Sequence, residues 1–101
     1  MASASISMVT EVWAMHTDEY EISIGREIAF CRKMIRQLKD SLERREKQCG
    51  MTTEEFLHAL KNGSLSEQNP VKNWNQEYQE LQYWKKSLTE YEEALERLKW
   101  L

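Results

Sequence analysis

Glu46-Lys-Gln-Cys-Gly-Met-Thr-Thr-Glu-Glu-Phe-Leu57 ends one helix and begins another within a dozen residues. Gly50 supplies the left-handed residue that commonly closes a helix. Thr52 and Glu55 then stand at the N-cap and N3 positions of a capping box. Met51 at N′ and Phe56 at N4 occupy the two positions of a hydrophobic staple. Phe56, Leu57 and Leu60 give this second helix a short apolar face, and Asn62-Gly63 stops it, which predicts a short helix over 53–61.

Upstream, Ile24, Ile28, Cys31, Ile35, Leu38 and Leu42 are spaced 4-3-4-3-4, an apolar seam close to a heptad period. No proline interrupts Arg26 to Cys49, and Arg, Lys and Glu fill the other faces. Asp18 and Glu19 suit the positive end of a helix dipole and point to a start near Thr17, so the first helix is read as 19–49. Residues 1–16 allow two readings. Ile6, Met8, Thr10 and Val12 alternate with smaller or polar residues as in a strand or extended arm. Val9, Val12 and Trp13 would equally form one side of a short helix ending at His16.

Downstream, Ser64 to Pro70 is polar and turn-rich, and Pro70 suits the first turn of a last helix. There Trp74, Tyr78, Leu81, Trp84, Leu88, Tyr91, Leu95 and Leu98 are spaced 4-3-3-4-3-4-3. This predicts a helix over 71–100, about 45 Å long at 1.5 Å per residue. Two long helices joined through a short one give an all-α domain over 1–101: a long antiparallel helical hairpin with a short connecting helix. Charge agrees with the pairing. Residues 26–48 carry eight basic and four acidic side chains, while 74–101 carry four basic and six acidic.

Composition fits this reading. Ala, Glu, Lys, Leu and Arg make 45 of 101 residues, with 3 Gly and 1 Pro, as in long helices or coiled coils. Leu, Ile, Val and Phe sum to only 20, but four Trp and four Tyr add large apolar surfaces and the net charge is −3. The chain is therefore expected to fold. It has no run of about 18 apolar residues to span a bilayer. Its N-terminus lacks the basic and apolar regions of a signal peptide, so a cytoplasmic protein with no membrane association is expected. Cys31 and Cys49 would lie about 27 Å apart on one helix, too far for a disulfide within the chain.

Catalytic patterns are missing from the sequence. His16 and His58 have no metal-ligand spacing, and no glycine-rich phosphate loop or nucleophile elbow occurs. Cys31 sits on the apolar seam, as an inert packed thiol would. No enzyme activity, cofactor or metal is expected. Nucleic-acid binding through the basic residues of 26–48 is the lesser alternative, set against a pI of 5.4 and interrupting carboxylates.

A hairpin offers each helix one seam, so the aromatic side chains of the last helix exceed what that seam encloses. Leftover apolar surface marks a protein partner or self-association. Trp74, Tyr78, Trp84 and Tyr91 are the candidate partner-binding anchors, because Trp and Tyr dominate binding hot spots. The structural alternative makes them the core of a bundle completed by a homodimer or tetramer.

The element at 46–57, followed by Asn62-Gly63 and then Trp74 in a Glu-rich helix, resembles a group of small bacterial helical proteins of antitoxin type. In these a long helix ends in a Lys-x-x-Gly-Met-[Ser/Thr]-x-Glu-Glu-Phe element before a Gly-containing turn and a Trp-bearing acidic helix. The resemblance covers 46–78, about a third of the chain. It implies binding and masking of a toxin protein, with no catalytic residues in the chain itself.

Overall fold

In the computed structural model the described backbone covers residues 2–66 and 68–100, with side chains described for 19–66 and 68–100. Three helices follow in order: α1 over Ala2–Cys49, α2 over Thr53–Lys61 and α3 over Asn69–Lys99. The long helices α1 and α3 pack against each other as an antiparallel hairpin, and α2 lies in the connection between them.

The turn after α1 is built by the residues that predicted it. Gly50 adopts φ 65°, a conformation that any side chain would strain. Its N–H donates to the Glu46 carbonyl at 2.8 Å, and the Met51 N–H reaches the same oxygen at 3.3 Å. Thr52 is the N-cap of α2, its hydroxyl accepting from the Glu55 N–H at 3.1 Å. One half of the expected capping box is replaced. The carboxylate that engages the start of α2 belongs to Glu46, which accepts the Thr53 N–H at 2.6 Å. Glu46 thus closes α1 with its carbonyl and opens α2 with its side chain. A second positive-φ glycine, Gly63, ends α2.

Two helix starts differ from the sequence reading. Helix α1 begins at Ala2, so 1–16 is no strand or separate arm over its described part: Ala2 to His16 continue the helix. The physical reason is that a lone strand has no partner for its backbone groups, whereas a helix satisfies them within the segment. Asp18 and Glu19 therefore lie inside a helix and not at its start. The side-chain roles considered for Val9, Val12, Trp13 and His16 fall outside the described residues. Helix α3 begins at Asn69, two residues before the expected 71, with Pro70 in its first turn and extended Gln68 as N-cap.

The core gathers at the closed end. Leu38 and Leu42 of α1, Phe56 of α2, and Trp74 and Leu81 of α3 form one buried cluster, with Ile35, Met51, Leu57, Leu60, Leu65, Val71 and Trp84 packed around it. Farther along, α1 still buries Ile24, Ile28 and Cys31. On α3, however, every seam residue beyond Leu81 (Trp84, Leu88, Tyr91, Leu95 and Leu98) is only half-buried. Towards the open end, two helices alone cannot enclose these side chains. At 1.5 Å per residue α1 is about 72 Å long and α3 about 46 Å. The molecule measures 69 × 21 × 21 Å, a rod whose length α1 sets.

Candidate functional site: an aromatic face on the hairpin

The four aromatic residues of the α3 stripe take different places. Trp74 is 4% exposed and stacks on Phe56, itself 1% exposed, with ring centroids 4.1 Å apart and planes 3° from parallel. Its indole N–H donates to the Thr53 hydroxyl at 3.2 Å. Trp74 is thus spent on holding α2 against α3, and its burial removes it from the surface that a partner could reach. Tyr78, Trp84 and Tyr91 are half-buried and keep part of their surface accessible. Tyr91 lies near Glu27 of α1, whose negative charge, followed by burial, pushes the phenol pKa above its ordinary value.

Trp84 is the centre of a larger group. It packs on the core cluster on one side. On the other it meets Phe30 of α1 edge-to-face, with centroids 5.3 Å apart at 77°, and Tyr83 at 5.1 Å and 79°. Phe30 is 47% exposed and Tyr83 62% exposed. The three rings form a continuous aromatic strip that runs from α1 across the seam to α3 and stays open to solvent. Phe30 and Tyr83 were not among the residues picked from the sequence. The available signal was their position beside a seam residue, Phe30 next to Cys31 and Tyr83 next to Trp84.

Arg45 of α1 donates to one oxygen of the Glu77 carboxylate of α3, through Nε at 3.0 Å and also through Nη2. Burial works against the Glu77 carboxylate, but the hydrogen bonds from Arg45 and the nearby Ser41, with the charges of Arg45 and Arg44, outweigh it and hold its pKa below the usual value. This is the one ion pair between α1 and α3 among the described residues; the other two, Lys47–Glu43 and Lys99–Glu96, lie within single helices. His58 is exposed and shares a 3.0 Å hydrogen bond with the Asn62 amide at the end of α2. Cys31 is fully buried, and burial, then Glu27, raises its thiol pKa. Cys49 is exposed, and both thiols are free.

A cleft of about 230 Å³ lies beside the turn, walled by Met51, Phe56, Leu65, Val71 and Trp74. Arg45, the charged side chain on its lining, is engaged by Glu77. Among the described residues no group of three or more His, Cys, Asp or Glu could hold a metal ion, and no helix is long and apolar enough to cross a membrane.

The fold and this face define an all-α helical hairpin carrying an open aromatic strip. Compared with known protein families, curated proteins and solved structures, the chain matches none.

Proposed function

We propose that this chain is a non-catalytic protein-docking module that lays the aromatic face of its hairpin on a partner protein and covers the surface beneath. One observation carries the reading: Phe30, Trp84 and Tyr83 form a ring-to-ring cluster from two helices, and two of the three stay about half or more exposed. Aromatic rings clustered on a rigid scaffold are the usual anchors of protein interfaces, because they bury much area at little cost in side-chain freedom. Trp84 and Tyr91 serve as anchors in this reading, with Tyr78 beside them, and Phe30 and Tyr83 extend the set.

Masking is the mechanism proposed, a steric effect that needs no reacting group. The antitoxin-type resemblance at 46–78 supports a toxin protein as the thing masked. The residues that carry it, from Glu46 through Thr52 and Phe56 to Trp74, build the turn of the hairpin, so they support the reading through the shape they impose. A cytoplasmic site of action goes with that proposal.

The test is a tagged, nuclease-treated pull-down from the native host at two salt concentrations, run beside Phe30→Ala/Tyr83→Ala. A single stoichiometric protein retained by the natural chain and lost by the double variant, with helicity unchanged, is the expected result. Equal retention by both overturns the docking face. Recovery that needs nucleic acid and vanishes at higher salt favours the basic helix of 26–48 instead.

A further inference from the structure

We infer that the outer face of α1 over 26–39 is a second binding surface, one that takes the phosphate backbone of duplex DNA by lying in its major groove. It is separate from the aromatic face, and either stands without the other.

The fold changes the charge balance that the sequence shows. Residues 26–48 carry eight basic and four acidic groups. Glu46 is drawn to the start of α2, where it accepts the Thr53 N–H, and Glu27 lies beside Tyr91 of α3. Arg45 is likewise turned to α3, where Glu77 engages it. Asp40 and Glu43 lie nearer the turn, and Glu43 meets Lys47. Over 26–39 this leaves Arg26, Arg32, Lys33, Arg36 and Lys39 exposed, and none joins the ion pairs among the described residues. The chain as a whole carries −3, so this stretch of α1 is positive on a negative molecule.

Helix geometry sorts the five cations into two rows and a ridge. At about 100° per residue, Arg26 and Lys33 share one line along α1, and Arg32 and Lys39 share another about 100–120° round the helix. Arg36 and the small Ala29 lie between the rows. All five point away from the buried seam of Ile24, Ile28 and Cys31, and the patch extends about 20 Å along the axis. On a helix 10–12 Å across, rows so placed are about 9–10 Å apart at the surface, and long Arg and Lys side chains reach beyond it. The major groove of B-form DNA is about 12 Å wide, admits one helix and has a phosphate wall on each side. Each row therefore meets one wall.

The same placement selects among polyanions. A flat bilayer meets the ridge and leaves the two rows splayed at its sides. Double-stranded RNA has a major groove too deep and narrow for a helix to enter. Single strands are held by bases stacked on aromatic rings, and neither row nor the ridge carries one. With contacts to phosphates alone, the binding has little sequence preference.

The test is fluorescence anisotropy of a labelled 20-base-pair DNA duplex of mixed sequence, titrated with the full-length chain. A Kd on the order of 10 µM at 50 mM salt is expected, weakening about 12-fold at 100 mM, the log–log slope of about −3.6 that four phosphate contacts give. Arg26→Gln/Lys33→Gln and Arg32→Gln/Lys39→Gln each remove one row of exposed side chains. Each is expected to weaken binding about tenfold or more and to cut the slope to about half, with the helical circular dichroism unchanged. Lys85→Gln/Lys86→Gln removes the same charge from exposed positions of α3 and is expected to stay within about twofold. Phe30→Ala/Tyr83→Ala is expected to leave DNA binding as it is.

No saturation by about 500 µM chain at 50 mM salt overturns the inference. So does a loss from the α3 pair equal to that from either row, which would make the effect one of bulk charge. Double-stranded RNA or phosphatidylserine vesicles bound as tightly as duplex DNA overturn the groove as the site. Loss of DNA binding in Phe30→Ala/Tyr83→Ala at unchanged helicity overturns the separation of the two faces.

Discussion

Phe56→Ala tests whether the closed end holds the hairpin together. The side chain is 1% exposed, its ring lies flat on Trp74, and that contact fixes the indole whose N–H reaches Thr53. Truncating a buried phenylalanine to alanine costs about 3–5 kcal/mol, and the lost stacking falls within that figure. A domain of this size has about 5–15 kcal/mol in total. Each kcal/mol moves the midpoint of a domain of roughly 100 residues by about 4 °C or more, so a fall of at least 12–20 °C is expected in a thermal melt followed by far-ultraviolet circular dichroism. Protein concentration must be held fixed, because association shifts apparent stability. Phe56→Leu keeps most of the volume and is expected to lose about 1–2 kcal/mol, separating the ring from the bulk it fills. Tyr83→Ala in the same series, below the concentration at which chains associate, should stay within about 0.5 kcal/mol. A Phe56→Ala loss under 1 kcal/mol would refute the argument, since it would mean that the long helices hold together without the α2 cluster.

Two further outcomes are expected. Glu77 has a folded pKa below its ordinary 4.5, so its stabilisation is present in full above that value and is lost as the pH falls through the folded pKa. Glu77→Gln should cost about 1–2 kcal/mol at pH 7, and urea melts at decreasing pH should show the variant and the natural chain converging. A difference that persists undiminished at pH 2 would count against the ion pair as its source. With a thiol-reactive chromophore, Cys49 should react at once and Cys31 at least about 100-fold more slowly, the second thiol appearing together with unfolding. Equal rates would place Cys31 at the surface.

Much of the hairpin was readable because its signals are local. The 4-3-4-3-4 seam from Ile24 to Leu42 needs only helix geometry to be seen. Gly50 and Thr52 mark a turn by backbone preference and capping chemistry, whatever the rest of the chain does. The start of α1 was harder to see, because alternating Ile6, Met8, Thr10 and Val12 also suits a strand and only the lack of a pairing partner decides against one. The aromatic stripe was legible as a stripe but not residue by residue. Trp74 and Trp84 both belong to the α3 stripe, yet α2 folds over the first and leaves the second half open. That difference comes from where the connection lies in space, which helical spacing does not encode. Glu46 escaped notice for a similar reason. Its carboxylate acts across the turn on the next helix, outside the window in which a capping box is sought.

The concentration of the core at the turn also bears on how the chain acquires its fold. Phe56 and Trp74 are 18 positions apart and Thr53 and Trp74 are 21, so the first tertiary contacts close short loops at small entropic cost. Pairs farther up the rod join residues ever more distant in sequence, as Phe30 and Trp84 already do. Folding is therefore expected to run as a zipper from the turn outward, and opening the other way. Amide exchange should reflect this as a gradient, slowest around Leu42 and Trp74 and fastest towards Ile24 and Leu98. The end that opens first is the one whose seam two helices leave incomplete.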